Sequence, residues 1–317
     1  MISVCIPVYN YSVTSLVSEV LNQFKTVSGN FELLVYDDCS TDEKLIKENG
    51  SLGGKPNITY KVLKKNIGRS KIRNLLMQDA RYNYVLFLDA DVSIYDSQFL
   101  SHYVNSIKQT PAVVSGGITY QVMTPQKEFK LRWSYGKKRE ALKAKLRQQQ
   151  PHLRLLTLNF LISKKCLNDI RFNENVPNLR HEDTLFAYDL KINDISVLHI
   201  DNPVRHEGLE ENEVYLQKEL TSSRMLAYFM HSGLLNKNFV TLSKKAEILN
   251  RFNLITPLKI IFRLFKRQIH KNLTSSVPII KLFDLYRLIE YVRFEEEIKT
   301  NENESLLKLF KQSSTYI

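Results

Sequence analysis

Two aspartates at the end of an apolar run are the strongest candidates for chemistry. The stretch YVLFLDADVSIYD, residues 84–96, begins with five residues typical of a buried strand and then places Asp89 and Asp91 on either side of Ala90. Two carboxylates this close repel each other, and the hard cations Mg²⁺ and Mn²⁺ bind oxygen ligands together with substrate phosphates. The pair is therefore a candidate metal site, although an isolated pair of this kind is more often a turn after a strand.

A second strand exit, YDDCSTD at residues 36–42, also carries acids. Asp38 could accept a hydrogen bond from the imide N–H of a uracil or thymine ring. The same stretch fits a helix start, with Ser40 or Thr41 as the N-cap and acids in the first turn. Both interpretations can hold together, with Asp38 binding a ligand and a hydroxyl capping the helix.

Between these exits, the stretch NIGRSKIRN at residues 66–74 offers a glycine and two arginines. Gly68 permits close approach of the backbone, and the start of the following helix favours an anion. Arg69 and Arg73 are four residues apart and therefore share a helix face. The segment is a candidate anion contact or, in the simpler interpretation, a solvated basic face.

Glu182 and Asp183 begin an apolar-periodic helix in RHEDTLFAYDL, residues 180–190. Acids in a first turn stabilise the helix dipole, but a carboxylate held on a rigid helix start can also act as a general base.

His206 lies in a glycine-containing loop after a strand. A lone His is more often structural than a ligand, so we expect a functional role only if it faces the same cleft as Asp91.

The elements that must position these residues alternate between strand and helix over the first hundred residues. Strand patterns occur at ISVCIPV, FELLVYDD, ITYKVL and YVLFL, helix patterns at 13–27 and 69–81, and a fifth strand within PAVVSGGITY. This order predicts an α/β fold with a mostly parallel sheet, whose ligands bind at the carboxyl ends of the strands. Three strand exits carry polar residues at that edge: 7–10, 37–38 and 89–91.

The rest of the chain and its composition indicate the remaining helices, the protein class and the expected cellular compartment. The pattern predicts a basic helix or a helix-like excursion over 127–148 and helices from 211 to the end. The 317 residues are 43% hydrophobic and 25% charged, which is ordinary for a globular protein. Three distant cysteines argue against a disulfide framework or a zinc site and favour a reducing cytosol. No leader pattern and no apolar run of spanning length is found, so we expect a cytoplasmic protein.

The formal net charge of +12 is concentrated in two segments. Residues 126–154 contain ten Lys or Arg and two acids, and residues 256–293 contain eight and two, so each predicts contact with an anion. The first segment interleaves Trp133 and Tyr135 with cations such as Lys138 and Arg139 that could bind an anion, or it could be a solvated basic helix with Trp133 in the core. The second could lie as a basic amphipathic helix on the inner face of an anionic membrane, or pack as a helical hairpin on the core.

Taken in order, these motifs resemble those of inverting family 2 glycosyltransferases with the GT-A fold. The matching stretches are SVCIPVYN, LLVYDDCSTD, NIGRSKIRN, VLFLDADVS, LNFLISKKCLNDIRFNENV and HEDTLFAYDL. Each is short, but together they cover about residues 2–208 in the family's order. The resemblance implies a GT-A catalytic domain over 1–210, a helical extension over 211–317, a nucleoside-diphosphate sugar donor with UDP-sugar favoured, and Mn²⁺ or Mg²⁺ as cofactor.

The resemblance also implies roles for individual residues. The nucleotide and donor would be bound by Pro7, Val8, Asn10, Asp38, Gly68, Arg69, Arg73, Asp89 and Ala90. Asp91 and His206 would hold the metal, and Asp183 would be the catalytic base beside Glu182. The acceptor side would include Trp133, Tyr135, Arg139, Asn159 and His181. His181 stands where the family usually has glycine, which implies a changed acceptor pocket.

The implied reaction moves one sugar to a hydroxyl of a glycan or a lipid-linked acceptor, in surface polysaccharide or glycan synthesis. Single addition is expected rather than polymerisation, because the chain has neither a QxxRW motif nor an apolar run of spanning length. Two other classes stay open: a basic nucleic-acid- or membrane-binding protein without catalysis, and a sugar-1-phosphate nucleotidyltransferase. No nucleic-acid motif supports a nucleic-acid partner, and IPVYNYS lacks the glycine-rich loop that the nucleotidyltransferase would need.

Overall fold

The computed structural model describes residues 1–167 and 170–300. The strands, in chain order, are β1 (Ile2–Val8), β2 (Phe31–Asp37), β3 (Ile58–Val62), β4 (Tyr84–Leu88), β5 (Val92–Ser93), β6 (Val113–Ser115), β7 (Ile118–Thr119), β8 (Asn159–Ser163), β9 (Val197–His199) and β10 (Val204–His206). The α-helices are α1 (Thr14–Phe24), α2 (Glu43–Gly50), α3 (Arg69–Asp79), α4 (Phe99–Ile107), α5 (Lys130–Tyr135), α6 (Ala144–Arg147), α7 (Glu182–Ile192), α8 (Asn212–His231), α9 (Thr241–Arg251), α10 (Ile255–Leu273) and α11 (Ile280–Thr300).

Seven strands form one mixed sheet in the order β3-β2-β1-β4-β8-β6-β9. The first four run parallel because helices α1, α2 and α3 return the chain between them, as the alternating pattern predicts. Strand β8 is antiparallel to both β4 and β6, and β9 is parallel to β6. The carboxyl ends of β1, β2 and β4 therefore meet at one edge of the sheet.

The strands that end at this edge are supported by buried apolar side chains. Apolar side chains from its central strands are fully buried, among them Val4, Ile6, Val35, Leu86 and Leu161. Strands covered on both faces read as continuous apolar runs rather than as alternating patterns, which is why YVLFL is recognisable in the sequence. The polar residues that follow are held on a fixed scaffold.

A smaller sheet, in the order β5-β10-β7, lies beside the exit of β4. Strand β10 pairs antiparallel with β5, with His206 opposite Val92. Because Val92 directly follows Asp91, this register brings a residue more than a hundred positions away next to the exit of β4. The sequence does not predict this pairing, since two- and three-residue strands carry too few residues for a periodic pattern.

Of the two structures predicted over 127–148, the segment forms the helix-like excursion and not one continuous helix. A 3₁₀ turn (Lys127–Phe129), α5, a π-helical turn (Gly136–Glu140) and α6 follow one another instead. Two of the cations in this segment, Arg132 and Arg147, are buried. The Nη2 atom of Arg147 donates to the backbone carbonyls of Gly116 and Ile200. Part of the positive charge of the segment therefore serves the interior and not the surface.

The described residues form two compact units. The first contains residues 1–122, 136–178 and 182–208, with both sheets, and the second contains 123–135, 179–181 and the chain from 209 onward. In the second unit, α8 and α11 pack along each other around a core that includes Leu216, Phe262 and Phe283. The predicted domain boundary at residue 210 stays a prediction, and residues 301–317 of the predicted extension lie outside the described residues. No helix in the described part of the chain is long and apolar enough to cross a bilayer.

Candidate active site

Asn10 ties the exit of β1 to the exit of β2. Its side-chain oxygen accepts the N–H groups of Thr41 at 2.8 Å and Asp42 at 3.2 Å. Its own N–H donates to the hydroxyl of Ser40 at 2.8 Å. Asn10 has φ +49°, a conformation that Asn tolerates better than most residues. The two exits, predicted to lie at one edge, are thus joined by hydrogen bonds.

The N-cap of α2 differs from the prediction. Asp42, and neither Ser40 nor Thr41, caps the helix, because its carboxylate accepts the N–H groups of Lys44 at 2.9 Å and Leu45 at 3.3 Å. The two hydroxyl residues lie in the loop that Asn10 holds. Asp38 is thereby separated from the capping role, which a different acid fills.

Asp38 is buried at the carboxyl end of β2. One oxygen accepts the N–H of Ile67 at 2.7 Å and the other accepts that of Gly68 at 2.9 Å. Burial raises the pKa of Asp38, and these two N–H groups oppose the rise. The backbone N–H of Asp38 donates to the carbonyl of Val8, which is itself buried, while Pro7 is half-buried. Asp38 therefore connects β1, β2 and the loop before α3.

Gly68 begins α3 at a point where no side chain fits. It has φ +86°, and a Cβ there would lie 3.0 Å from the side chain of Asn178. The Asn178 side-chain oxygen accepts the N–H of Arg69 at 3.2 Å. Glycine is required both for the backbone angle and for this close approach. Sequence reasoning missed Asn178, which lies between two of the stretches that resemble the family and belongs to neither.

Three charged residues, Arg73, Asp89 and Glu182, form what we call the Arg73 cluster. One guanidinium nitrogen of Arg73 lies 2.8 Å from Asp89 Oδ1, and the other lies 3.3 Å from Glu182 Oε1. Arg73 is only 4% exposed. Arg69, one helical turn earlier, is 3.8 Å from the same Glu182 oxygen, so the two arginines share a face as predicted. The cluster joins the exit of β4 to the start of α7.

Arg73 is buried and lies beside an aromatic ring as well as beside the two carboxylates. Its guanidinium lies 5.6 Å from the centre of the Phe172 ring. Its Nε is buried without a hydrogen-bond partner among the described residues. Burial and the nearby Asp91 raise the pKa of Asp89, whereas Arg73 opposes the rise. The repulsion expected between Asp89 and Asp91 is thus reduced by a cation that the protein itself supplies.

Asp183, on the first turn of α7, has a carboxylate with a raised proton affinity. Burial, followed by the charge of Glu182, raises the pKa of Asp183 to about 6. The N–H of Thr184 donates to it at 2.7 Å, and this bond, with the charge of Arg73, opposes the rise. A carboxylate with a pKa near neutrality is ionised at physiological pH and still able to take up a proton.

Asp91 and His206 lie together, as the metal hypothesis requires. His206 Nε2 is 3.3 Å from Asp91 Oδ2, and the backbone of the following residue, Glu207, donates its N–H to the Asp91 carbonyl. The histidine is nearly buried, while a third of the Asp91 side chain is exposed. The β5–β10 pairing produces this approach. The lone histidine therefore meets the condition set from the sequence.

The surroundings of this pair fit a divalent cation. A Cβ at Gly208 would lie 2.3 Å from Asp91 Oδ2 and 3.2 Å from His206 Cε1, so only glycine leaves the space open. His206 Nδ1 is buried without a hydrogen-bond partner in the described ranges. A carboxylate oxygen and an imidazole nitrogen are both ligands of Mn²⁺-type ions. No group of three His, Cys, Asp or Glu suited to a metal occurs in the described residues.

Tyr120 connects the pair to the π-helical turn and was not predicted. Its ring centre is 5.5 Å from that of His206, and its hydroxyl donates to the carboxylate of Glu140. A Cβ at Gly136 would lie 2.1 Å from Tyr120 Cζ, so the turn is pressed against the ring. Arg139 is exposed on this same turn. The π-helical turn therefore lies close to the Asp91–His206 pair.

Asn159 faces the interior. It is fully buried, its side-chain oxygen accepts the hydroxyl of Tyr103 at 2.6 Å, and its amide donates to the carbonyls of Gly117 and Asn202. These bonds fix the loop after β6 beside the exit of β4. Because the amide is committed to them, we leave Asn159 out of the proposed site.

The remaining predicted residues lie in the second unit. Tyr135 packs against Tyr215 and Phe283, and its hydroxyl accepts a hydrogen bond from Arg287 at 3.0 Å. Trp133 is half-buried on α5. His181 has φ +68°, the left-handed region that glycine favours, and its Nε2 lies 2.8 Å from the hydroxyl of Ser222. Histidine thus adopts, at the position where the family usually has glycine, a conformation typical of glycine.

Comparison with known proteins identifies several glycosyltransferases. The model of the family described as "Glycosyl transferase family 2" matches residues 3–170. An uncharacterized glycosyltransferase of Haemophilus influenzae is 26% identical over 189 residues, 60% of this chain and 71% of that protein. One from Rickettsia felis is 37% identical over 97 residues, 30% of this chain and only 15% of that protein. The teichoic acid poly(glycerol phosphate) polymerase of Staphylococcus epidermidis is 25% identical over 150 residues, 46% of this chain and 20% of that protein.

Two solved structures are similar to this chain. The Pyrobaculum calidifontis mannosyltransferase PcManGT, solved with GDP-Man and Mn²⁺, superposes with a TM-score of 0.57 at 13% identity, over 96% of this chain and 88% of that chain. S. aureus TarS 1–349 with UDP-GlcNAc gives a TM-score of 0.48 at 20% identity, over 94% and 91%. The first of these likenesses confirms the predicted GT-A fold.

The family match also decides between the function classes that the sequence left open. It favours a transferase over a non-catalytic binding protein and over a nucleotidyltransferase. Because the matched region, residues 3–170, exceeds half of its length, this chain belongs to glycosyl transferase family 2.

Proposed function

We propose that this chain transfers one sugar from a nucleoside-diphosphate sugar, with UDP favoured, to an acceptor hydroxyl with inversion at the anomeric carbon. The observation that carries the proposal is the Arg73 cluster. It ties Glu182, the neighbour of the candidate base Asp183, to Asp89, two residues before the candidate metal ligand Asp91. A base and a leaving-group site must be held in a fixed relation for in-line displacement.

The nucleotide would lie at the exits of β1 and β2. Each oxygen of Asp38 accepts one backbone N–H, but a carboxylate has about four acceptor positions. Asp38 can therefore also accept the imide N–H of uracil, which is the reason UDP is favoured. Asn10 and Pro7 would line the same pocket, with Val8 and Ala90 contributing backbone, and Gly68, Arg69 and Arg73 would border the donor.

Asp91 and His206 would hold Mn²⁺ or Mg²⁺. Two protein ligands suit a cation that takes its remaining ligands from phosphate and water. When bound, such a cation would neutralise the negative charge that develops on the departing diphosphate. Gly208 keeps the space beside both ligands open.

Asp183 would remove the proton from the acceptor hydroxyl as its oxygen attacks the anomeric carbon. The new bond forms between that oxygen and the anomeric carbon, the bond from this carbon to the phosphate oxygen breaks, and the nucleoside diphosphate leaves with the electron pair. The proton remains on the Asp183 carboxylate. Its pKa of about 6 supports this role, since a base should bind a proton readily near the working pH.

For the acceptor we propose a glycan or a lipid-linked molecule of surface polysaccharide synthesis. The match to a teichoic acid polymerase supports this class of process. Arg139, on the turn beside Tyr120, is the acceptor-side candidate in the first unit. The roles of Trp133, Tyr135 and His181 stay predictions; the Tyr135 ring packs in an apolar core, which makes it the weakest of the three.

The test begins with a thermal-shift panel of nucleoside diphosphates and their sugars, with and without Mn²⁺, because a ligand bound to the folded state raises the apparent melting temperature. The donor so found is used to measure release of its nucleoside diphosphate. We expect Asp183→Asn to reduce release by about 10³-fold. Asp189→Asn, six residues later on the same helix, is the matched control and should retain full activity. Full activity of Asp183→Asn would overturn the assignment of the base.

A further inference from the structure

Helix α10 has an apolar face that nothing in the described chain covers. One face packs into the core of the second unit through Ile255, Phe262, Ile269 and Leu273. That core packing satisfies the hairpin interpretation of the sequence. It does not account for the opposite side of the helix, which carries a second set of large apolar residues.

We name this second set the α10 apolar stripe. Its members are large apolar side chains that are about half exposed or more. Four lie on the helix itself and four lie in the segments that flank it: Ile260, Ile261, Leu264 and Phe265 on α10, and Phe252, Leu254, Val277 and Ile279 beside it. They are eight of the nineteen exposed large hydrophobic residues in the described chain, within fewer than thirty residues. Leu264, at the centre, is 69% exposed. Such a concentration marks an interaction surface rather than the scattered exposure that is normal for a folded protein.

Positive charge accompanies the stripe. Between Ile255 and Leu273 the helix has five Lys or Arg and no Asp or Glu. Lys259 pairs with Glu296 of α11. The other four cations are exposed and make no ion pair with the described residues: Arg263, Lys266, Arg267 and Lys271. At 100° per residue Arg263 and Arg267 border one side of the four apolar residues on the helix, Lys271 falls within their sector, and Lys266 lies closer to the packed face.

We infer that this face of α10 docks onto an anionic lipid surface. A helix with an apolar stripe and flanking cations lies in the plane of the membrane interface, with the stripe among the acyl chains and the cations at the headgroups. Nucleic acid would match the cations but not eight exposed apolar side chains. An apolar protein partner would match the stripe but leave four cations without counter-charges. The inference does not depend on the proposed transfer reaction, because it concerns binding alone.

The test is sedimentation of the full chain with large unilamellar vesicles. One set is pure phosphatidylcholine, and the other contains equal parts of phosphatidylglycerol and phosphatidylcholine. We expect at least about tenfold stronger binding to the anionic vesicles, because each cation beside the stripe contributes near the surface. Added salt at about 0.5 M should weaken it, because the Debye length shortens to a few ångströms.

Two double variants test the contributions of the stripe and of the cations separately, and each has a control double variant. Ile261→Ser with Leu264→Ser should reduce binding by about tenfold or more, whereas the control Val122→Ser with Met123→Ser, also highly exposed, should not. Arg263→Glu with Arg267→Glu should abolish the preference for anionic vesicles, whereas Lys64→Glu with Lys65→Glu, exposed in the first unit, should retain it. Unchanged thermal unfolding of each variant shows that the fold is intact.

Three results would overturn the inference. The first is equal binding of all variants and the wild type. The second is a wild type that forms a dimer and ignores vesicles, which would make the stripe an interface between copies. The third is retention by duplex DNA with no retention by anionic vesicles, which would assign the cations to nucleic acid.

Discussion

The carboxylates of Asp89 and Asp91, one residue apart, have different partners. Asp89 lies 2.8 Å from the guanidinium of Arg73, which is almost wholly buried and also contacts Glu182. Asp91 lies 3.3 Å from the imidazole of His206, beside a glycine whose missing side chain leaves space. Local sequence does not distinguish the two acids; the family resemblance implies different roles for them, and their tertiary partners differ.

The difference indicates which of the two acids stabilises the fold. Asp89 compensates a buried cation, so its removal would leave Arg73 with one partner instead of two. Asp91 is partly exposed next to the imidazole of His206, so its removal should affect the proposed binding of a cation more than the fold. Changes in the Arg73 cluster should therefore appear first in stability, and changes at the Asp91–His206 pair first in ligand binding.

The largest effect is expected from Arg73→Gln. It leaves Asp89 and Glu182 close together without their shared cation, and we expect a loss of about 3 kcal/mol in the free energy of unfolding. Urea denaturation measures it. Arg69→Gln is the matched control: its side chain is 56% exposed and 3.8 Å from Glu182, so it should cost no more than about 0.5 kcal/mol. Equal losses for both variants would show that burial of Arg73 does not matter.

The next effect compares the two acids directly. Asp89→Asn should lower the free energy of unfolding by about 2 kcal/mol, because Arg73 keeps only Glu182 as a partner. Asp91→Asn should change it by less than about 0.5 kcal/mol. Denaturation of both variants under the same conditions measures the difference. A reversed order would mean that the two roles are exchanged.

Asp183 extends the comparison to a third carboxylate, and its effect depends on pH. Burial and Glu182 raise its folded pKa to about 6, while Arg73 opposes the rise, so ionisation of Asp183 disfavours the folded state. The resulting loss of stability appears as pH rises from about 4 to about 6 and stays constant above. Asp183→Asn should therefore be more stable than the wild type by about 1–2 kcal/mol at pH 8 and equal to it near pH 4.

The same pKa predicts the activity profile. Because the base must be ionised, kcat/KM of the wild type should fall below about pH 6. A stability difference that is identical at pH 4 and pH 8 would contradict the raised pKa. An activity profile that is flat between pH 5 and pH 8 would contradict the assignment of Asp183 as the base.

The smallest expected effect is that of Gly208→Ala. A methyl group there would lie 2.3 Å from Asp91 Oδ2 and must displace it, so we expect Mn²⁺ affinity to fall by about tenfold. Gly50→Ala, where φ likewise lies outside the left-handed region but nothing lies within 4 Å of the added Cβ, is the matched control and should leave Mn²⁺ affinity unchanged. Paramagnetic resonance of free Mn²⁺ measures both. Similar affinities for the two variants would argue against a metal beside Gly208.

The sequence predicted the positions of the polar strand exits well. Parallel strands covered on both faces appear as apolar runs, so the residues after β1, β2 and β4 could be placed at one edge. The shared face of Arg69 and Arg73 followed from helical spacing alone. These predictions succeed because they depend only on local periodicity.

Partnerships across the fold could not be predicted. Nothing local indicates that Arg73 pairs with both Asp89 and Glu182, or that short strands bring His206 to Asp91. The cap of α2 was assigned to the wrong residue because Asp42, Ser40 and Thr41 all satisfy the same capping rule. The burial of Arg132 and Arg147 was missed because a count of charges does not distinguish solvated cations from those that bind interior carbonyls or aromatic rings.

The most direct test of the division between Asp89 and Asp91 is calorimetric titration of UDP, with and without Mn²⁺, into the wild type, Asp89→Asn and Asp91→Asn. We predict that Mn²⁺ strengthens UDP binding by about 10²-fold in the wild type. Asp89→Asn, measured where it is fully folded, should keep that ratio even if its overall affinity is lower, and Asp91→Asn should lose it. A Mn²⁺ enhancement in Asp91→Asn equal to that of the wild type would contradict the account.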